Sequence, residues 1–136
     1  MDVWEYFQTR ERELQECSLH IAEDASFFSA EPGDQRGKIY GVLYFNGYPP
    51  TVYLQVHEEI VVKGSGITRP RYAYFLVIDG KEIGGYERHA THKPPVHRHC
   101  SGLKDHESSP SRAISFKEAA REAWQYVGEF ATPIDS

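Results

Sequence analysis

Residues 71–89 read RYAYFLVIDGKEIGGYERH. Two runs rich in β-branched and aromatic residues flank Asp79-Gly80, a dipeptide whose members both tolerate positive φ and so close a two-residue hairpin. The stretch predicts two antiparallel strands. Alternation places Tyr72, Tyr74 and Leu76 on one face, a pattern of core packing more than of a platform for bases.

Upstream, KIYGVLYFN supplies another strand over residues 38–45, closed by Asn46-Gly47, with Pro49-Pro50 forcing an extended exit. TVYLQVHEEIVV (51–62) alternates at Val52, Leu54 and Val56 and reads as its partner, with a bulge near Glu58-Glu59. Those two acids read as a solvated bulge rather than an acidic site. KGSGITRP (63–70) reads as a loop.

At the chain start, Asp2 and Glu5 have capping-box spacing, and Val3, Phe7, Leu14, Cys17 and Ile21 recur on one helical face. Residues 3–23 are therefore expected to be an amphipathic helix, ended by the turn-rich SAEPGDQRG (29–37), with helix and linker together filling 1–35. Toward the other end, Ser115 and Glu118 form a second capping pair, and Phe116, Ala120, Ala123, Val127 and Phe130 line a helix that Pro133 stops. The expected fold is α+β, one domain over 1–136: a four-stranded antiparallel sheet of two hairpins within 36–89, a histidine-rich loop over 90–113, and the helix of 114–131 packed with the N-terminal helix on one face.

The 136 residues, 40% hydrophobic and 13% aromatic, suffice for one packed core. No run approaches the ~20 apolar residues of a membrane span. MDVWEYFQTRERELQ has neither the basic start nor the apolar run of a signal peptide, so a cytoplasmic protein with no membrane partner is expected. Cys17 and Cys100 form no C-x-x-C pair and read as reduced thiols. The net charge of −5 is unevenly spread: residues 1–35 carry −7 and residues 63–104 carry +5. Such asymmetry hints at an anionic ligand for the basic middle.

That middle contains RHATHKPPVHRHC (88–100), with four of the seven histidines. His97 and His99, two apart on an extended backbone, lie about 6–7 Å apart, close enough to share an ion. The strict metal signatures are absent, so neither metal nor cofactor is assigned, and a histidine-based metal protein remains an alternative. Metal-independent RNA cleavage needs a base for the ribose 2′-hydroxyl, an acid for the leaving 5′-oxygen and cations beside the phosphate. Histidine titrates near neutral pH, and arginine matches phosphate oxygens. On these grounds His97, His99 and His89 are the candidate catalytic residues, and Arg88, Lys93, Arg98 and Tyr86 the candidate substrate-binding residues. On a regular strand Arg98 would face away from His97 and His99.

The run from Arg71 to Cys100, with the helix SFKEAAREAWQYVGEF (115–130), resembles the TumE-type toxin family of prokaryotic toxin–antitoxin systems. Tyr86-Glu87-Arg88 stands where that family has a Tyr-Asp-Asn-like triplet, and His97-Arg98-His99 where it has His-x-His. The resemblance covers about residues 51–130. It implies a small cytoplasmic toxin acting on RNA, neutralised by an antitoxin protein, with a homodimer left open. The resulting expectation is a toxin-like protein and endoribonuclease. A non-catalytic module binding nucleic acid or protein is its principal alternative.

Overall fold

The computed structural model describes residues 2–16, 21–30, 35–88, 96–99, 106–108 and 114–134, with 21–29, 96–99 and 106–108 described as backbone. Helix α1 (Val3–Glu16) opens as its sequence predicts: Asp2 Oδ1 accepts the Glu5 amide at 2.8 Å. Val3, Phe7, Arg10 and Leu14 form its buried stripe.

The strands are β1 (Ile21–Ala30), β2 (Arg36–Phe45), β3 (Val52–Lys63), β4 (Gly66–Ile78), β5 (Lys81–Arg88), β6 (Val96–His99) and β7 (His106–Ser108). They pair antiparallel in chain order in one sheet. Helix α2 (Phe116–Phe130) follows, its N-terminus capped by Ser115, whose Oγ accepts the Glu118 amide at 3.2 Å.

The α+β class, the antiparallel sheet and the helix near each end are as the sequence implies, and the four expected strands are β2 to β5. The sheet continues past them on both sides. The N-terminal helix ends at Glu16 rather than residue 23, and Ile21, assigned by periodicity to a helical face, begins β1. Pairing of β1 with β2 along its length satisfies both backbones, and such non-local bonding overrides a local periodic signal. Two short strands, β6 and β7, stand within the expected loop of 90–113. Their histidines and charges give no apolar alternation by which to recognise a strand.

Strand β4 likewise begins at Gly66, inside the expected loop. Its ladder with β3 steps from Glu59↔Arg71 to Val61↔Thr68, leaving Arg69 and Pro70 in the irregularity. Proline has no N–H to donate, so a bulge is where a strand tolerates it. The β4–β5 hairpin is the one read from the sequence: Asp79 and Gly80 have φ of 51° and 80°.

Register is set by burial. Val52, Leu54, Val56 and Ile60 of β3 are at most 3% exposed. They join Ile39, Leu43 and Phe45 of β2 and Tyr72, Tyr74, Leu76 and Ile78 of β4 in a core completed by α1 and by Phe116, Ala119, Ala120, Ala123 and Val127 of α2. Each fully buried Leu, Val, Ile or Phe contributes ~1.5–3 kcal/mol, so a one-residue slip of β3 would forfeit several such terms at once. Both helices therefore lie on one face of the sheet, as expected. Phe130, expected on the buried stripe of α2, is 40% exposed at the end of the helix. No helix among the described residues is long and apolar enough to cross a membrane.

Candidate functional site

Strand β5 carries the sequence-predicted site, and its orientation follows from one anchor. Tyr86 pairs with Tyr74 in register, packs against the core and donates its hydroxyl hydrogen bond to Glu122 Oε2 on α2. Tyr86 is thus tied to the helix face. Its neighbours Gly85 and Glu87 take the opposite, open face, because successive strand residues alternate.

Gly85 marks a close approach: a Cβ there would stand 1.9 Å from Tyr74 O and 2.9 Å from Phe75 Cα. Strand β5 can lie this near β4 only because the position carries no side chain.

Strand β6 then pairs with β5 through Gly85↔His99, Tyr86↔Arg98, Glu87↔His97 and Arg88↔Val96. Strand β7 adds His97↔Ser108, Arg98↔Glu107 and His99↔His106. Residues opposite one another in an antiparallel ladder share a face. The register therefore brings His97, His99 and His106 to the open face in line with Glu87 and Gly85. It sets Arg98 on the helix face with Tyr86. Arg88, half-buried and opposite Tyr72, belongs to that same face. The predicted histidines and the predicted cations are accordingly separated by the pleat, as regular alternation over 96–99 requires. His89 and Lys93 lie outside the described residues.

Two open-face residues were missed by sequence reasoning. His106 lies seven positions beyond His99, and only recognition of β6 and β7 as paired strands could have joined them. Arg71 is exposed and stands two residues along β4 from Ala73, the register partner of Glu87. It is an open-face cation diagonal to the histidine strip, and its alternation with Tyr72 was the available signal.

The row continues across the sheet as Tyr40↔His57↔Ala73↔Glu87↔His97. The His57 ring lies 6.0 Å from that of Tyr40, edge to face. Burial lowers the His57 pKa below its ordinary 6.5, the Glu59 carboxylate opposing that shift.

The other concentration of ionisable groups lies on the helix face and is closed. Glu58 is fully buried and Arg10 is 4% exposed. This corrects the reading of Glu58 as part of a solvated bulge: the ladder irregularity comes one position later, after Glu59, so Glu58 keeps the inward phase of β3. Arg10 Nε donates to Glu58 Oε2 at 3.1 Å and Nη2 to Oε1 at 2.5 Å. The Tyr6 hydroxyl donates to Oε1 at 3.1 Å, the Tyr74 hydroxyl also donates to it, and Arg69 Nη1 stands 3.5 Å away. Arg69 in turn donates to the Tyr74 oxygen at 2.7 Å. The two guanidinium groups lie over Phe116 and Tyr72, each 4.5 Å from the ring centre.

Burial and then the Glu58 carboxylate push the Tyr6 and Tyr74 hydroxyls far above their usual range, so both stay protonated donors. Burial would lower Arg10, and Glu58 together with Tyr74, Tyr6 and Glu13 more than reverses it. Among the described residues no buried side-chain polar atom lacks a partner. The adjoining gap, lined by Arg10, Leu14, Ile39, Val56 and Phe116 among others, measures about 10 Å³, room for a water at most. This hub ties α1 and α2 to the sheet, and among the described residues the gap beside it has no room for a ligand larger than a water.

Among the described side chains, no three of the His, Cys, Asp and Glu type are grouped to hold a metal ion. No protein-family model, no curated protein and no solved structure matches the chain.

Proposed function

We propose that the protein is an RNA-directed, toxin-like endoribonuclease that works without a metal, with the β5–β6–β7 edge as its reaction strip. The observation that carries this reading is the register that lines up His97, His99 and His106 with Glu87 on the face free of both helices.

Two imidazoles on one strand face supply the base and the acid that transesterification requires. The cation for the phosphate comes from the same face, where Arg71 is the described candidate. Arg88 and Arg98 take the helix-face phase of their strands and are not counted in the strip. The histidine-rich strip supports RNA as substrate, and the resemblance to TumE-type toxins implies an antitoxin protein as partner.

The experiment is cleavage of a labelled single-stranded RNA in EDTA by the wild type and by the His97→Ala/His99→Ala double variant. Cleavage by the wild type, reduced ~100-fold or more in the double variant, is expected. Equal cleavage by both, or none by either, overturns the catalytic assignment. Cleavage that appears only when a divalent metal is supplied overturns the metal-independent mechanism.

A further inference from the structure

The open face of the sheet carries more than the histidine strip. Leading away from that strip are Tyr40 and Tyr44 on β2, and Tyr53, Gln55 and His57 on β3, all in the outward phase of their strands. Tyr40 is 47% exposed, and Tyr44, Tyr53 and His57 are half-buried. Tyr44 and Tyr53 face each other with ring centres 6.3 Å apart, as do Tyr40 and His57 at 6.0 Å. Tyr40 receives a hydrogen bond from Gln55 Nε2 at 3.3 Å, which positions the phenol without covering its ring.

Both helices pack on the other face, and on this one Phe75 and Val77 of β4, the register partners of Gln55 and Tyr53, are buried, so the accessible rings are those of β2 and β3. At one end this surface is bordered by the register row Lys38↔Glu59↔Arg71, with exposed Arg36 beyond. Three cations there surround one described carboxylate. Lys38 is 60% exposed and stands 3.9 Å from Glu59, too weak a pair to neutralise the row.

We infer that this face is a stacking platform for single-stranded RNA, with Tyr40, Tyr44, Tyr53 and His57 receiving bases and Arg36, Lys38 and Arg71 receiving phosphates. The inference rests on the proposed action on RNA and specifies the form of RNA that is held.

Three features point to single-stranded RNA. The exposed Tyr40 ring and its partly accessible neighbours offer π-faces, which suit unpaired bases of any sequence, whereas the bases of an A-form duplex are stacked within it and its deep major groove excludes side chains. The bordering cations match a phosphate backbone running beside the rings. The platform shares a register row with the proposed reaction strip: His57 and His97 stand in one row through Ala73 and Glu87, three strand spacings or about 14 Å apart, beside the buried Phe75 and Val77 of β4.

The test uses a fluorescein-labelled single-stranded RNA of about 12 nucleotides, a length within the span of single-strand binding sites. Binding is measured by anisotropy in EDTA with the His97→Ala/His99→Ala protein as background, so that cleavage cannot confuse it. Tyr40→Ala should weaken binding ~10-fold and Tyr40→Phe should leave it near the parent value, because the ring makes the contact. Lys38→Ala/Arg71→Ala should reduce the slope of log affinity against log salt by about 1–2.

Equal affinity for a duplex of the same length overturns the platform, as does binding indifferent to Tyr40→Ala in a protein with unchanged melting. Self-association abolished by Tyr40→Ala, with RNA affinity unmoved, reassigns the face to a second copy of the chain. The two readings fail separately. Tyrosine-dependent binding by a wild type that cleaves nothing leaves the platform standing without the catalysis. Histidine-dependent cleavage with tyrosine-independent binding does the reverse.

Discussion

Replacing Arg10 by Met tests whether the closed hub holds α1 to the sheet. The substitution keeps an apolar stem against Phe116 and removes both hydrogen bonds to Glu58, at 3.1 and 2.5 Å, together with the guanidinium over the Phe116 ring. Glu58 would remain fully buried, still facing the Tyr6 and Tyr74 hydroxyls and Arg69 at 3.5 Å. Breaking one side of a buried ion pair costs about 3–5 kcal/mol, and the surviving donors place this case near the lower figure, about 3 kcal/mol. For a domain with ~5–15 kcal/mol of stability, that shifts the urea midpoint strongly. The Arg10→Met/Glu58→Met double variant removes the stranded carboxylate and should recover about 2 kcal/mol relative to the single change. The assay is urea unfolding followed by circular dichroism for the wild type, both single variants and the double. A loss under about 1 kcal/mol in Arg10→Met, or additive losses in the double, would refute the hub as a coupled unit.

Gly85→Ala should cost at least about 3 kcal/mol or prevent folding, since its Cβ would fall on the Tyr74 carbonyl, whereas Gly128→Ala in α2 meets only Tyr48 Oη at 3.5 Å and should stabilise by ~0.5–1 kcal/mol; thermal melts of the two compare them. His57 should titrate below its ordinary 6.5 by NMR, because burial disfavours the imidazolium. With the folded pKa lowered, the unfolded chain takes up the proton first as pH falls through 6.5. The His57 contribution is then present above that pH and lost toward the lower folded pKa. Stability measured from pH 7.5 to 5.5 should decline less in His57→Gln than in the wild type, and an identical decline would remove the assignment.

What the sequence made legible follows from how local each signal is. Asp79-Gly80 defines its hairpin within four residues, and Ser115 with Glu118 starts α2 within one turn, so both were readable. Tyr72 and Tyr74 were readable as core because alternation is itself local. Strand β1 was not, because its identity depends on nine register partners in β2. Glu58 was misread because an acid beside a bulge looks solvated until a cation from another element arrives. That cation, Arg10, lies 48 positions away and sits on a helical stripe whose other buried members are apolar. His106 escaped for a related reason: its neighbour His99 is set by strand pairing and not by spacing.

The same long-range logic decides which chemistry the histidine strip can offer. Four of its residues alternate as Val96, His97, Arg98 and His99, so either the histidines or Arg98 with Val96 take the open face, never both. The choice is made two strands of contact away. Tyr86, bonded to Glu122 and packed on the core, fixes β5; Gly85, pressed on the Tyr74 carbonyl, sets how closely β5 approaches β4; and β6 inherits the phase through Tyr86↔Arg98. A slip of one residue in β6 would exchange an imidazole pair for one guanidinium and a valine. Helix α2 therefore acts on the strip at a distance, because it holds the tyrosine from which the strand phase is counted.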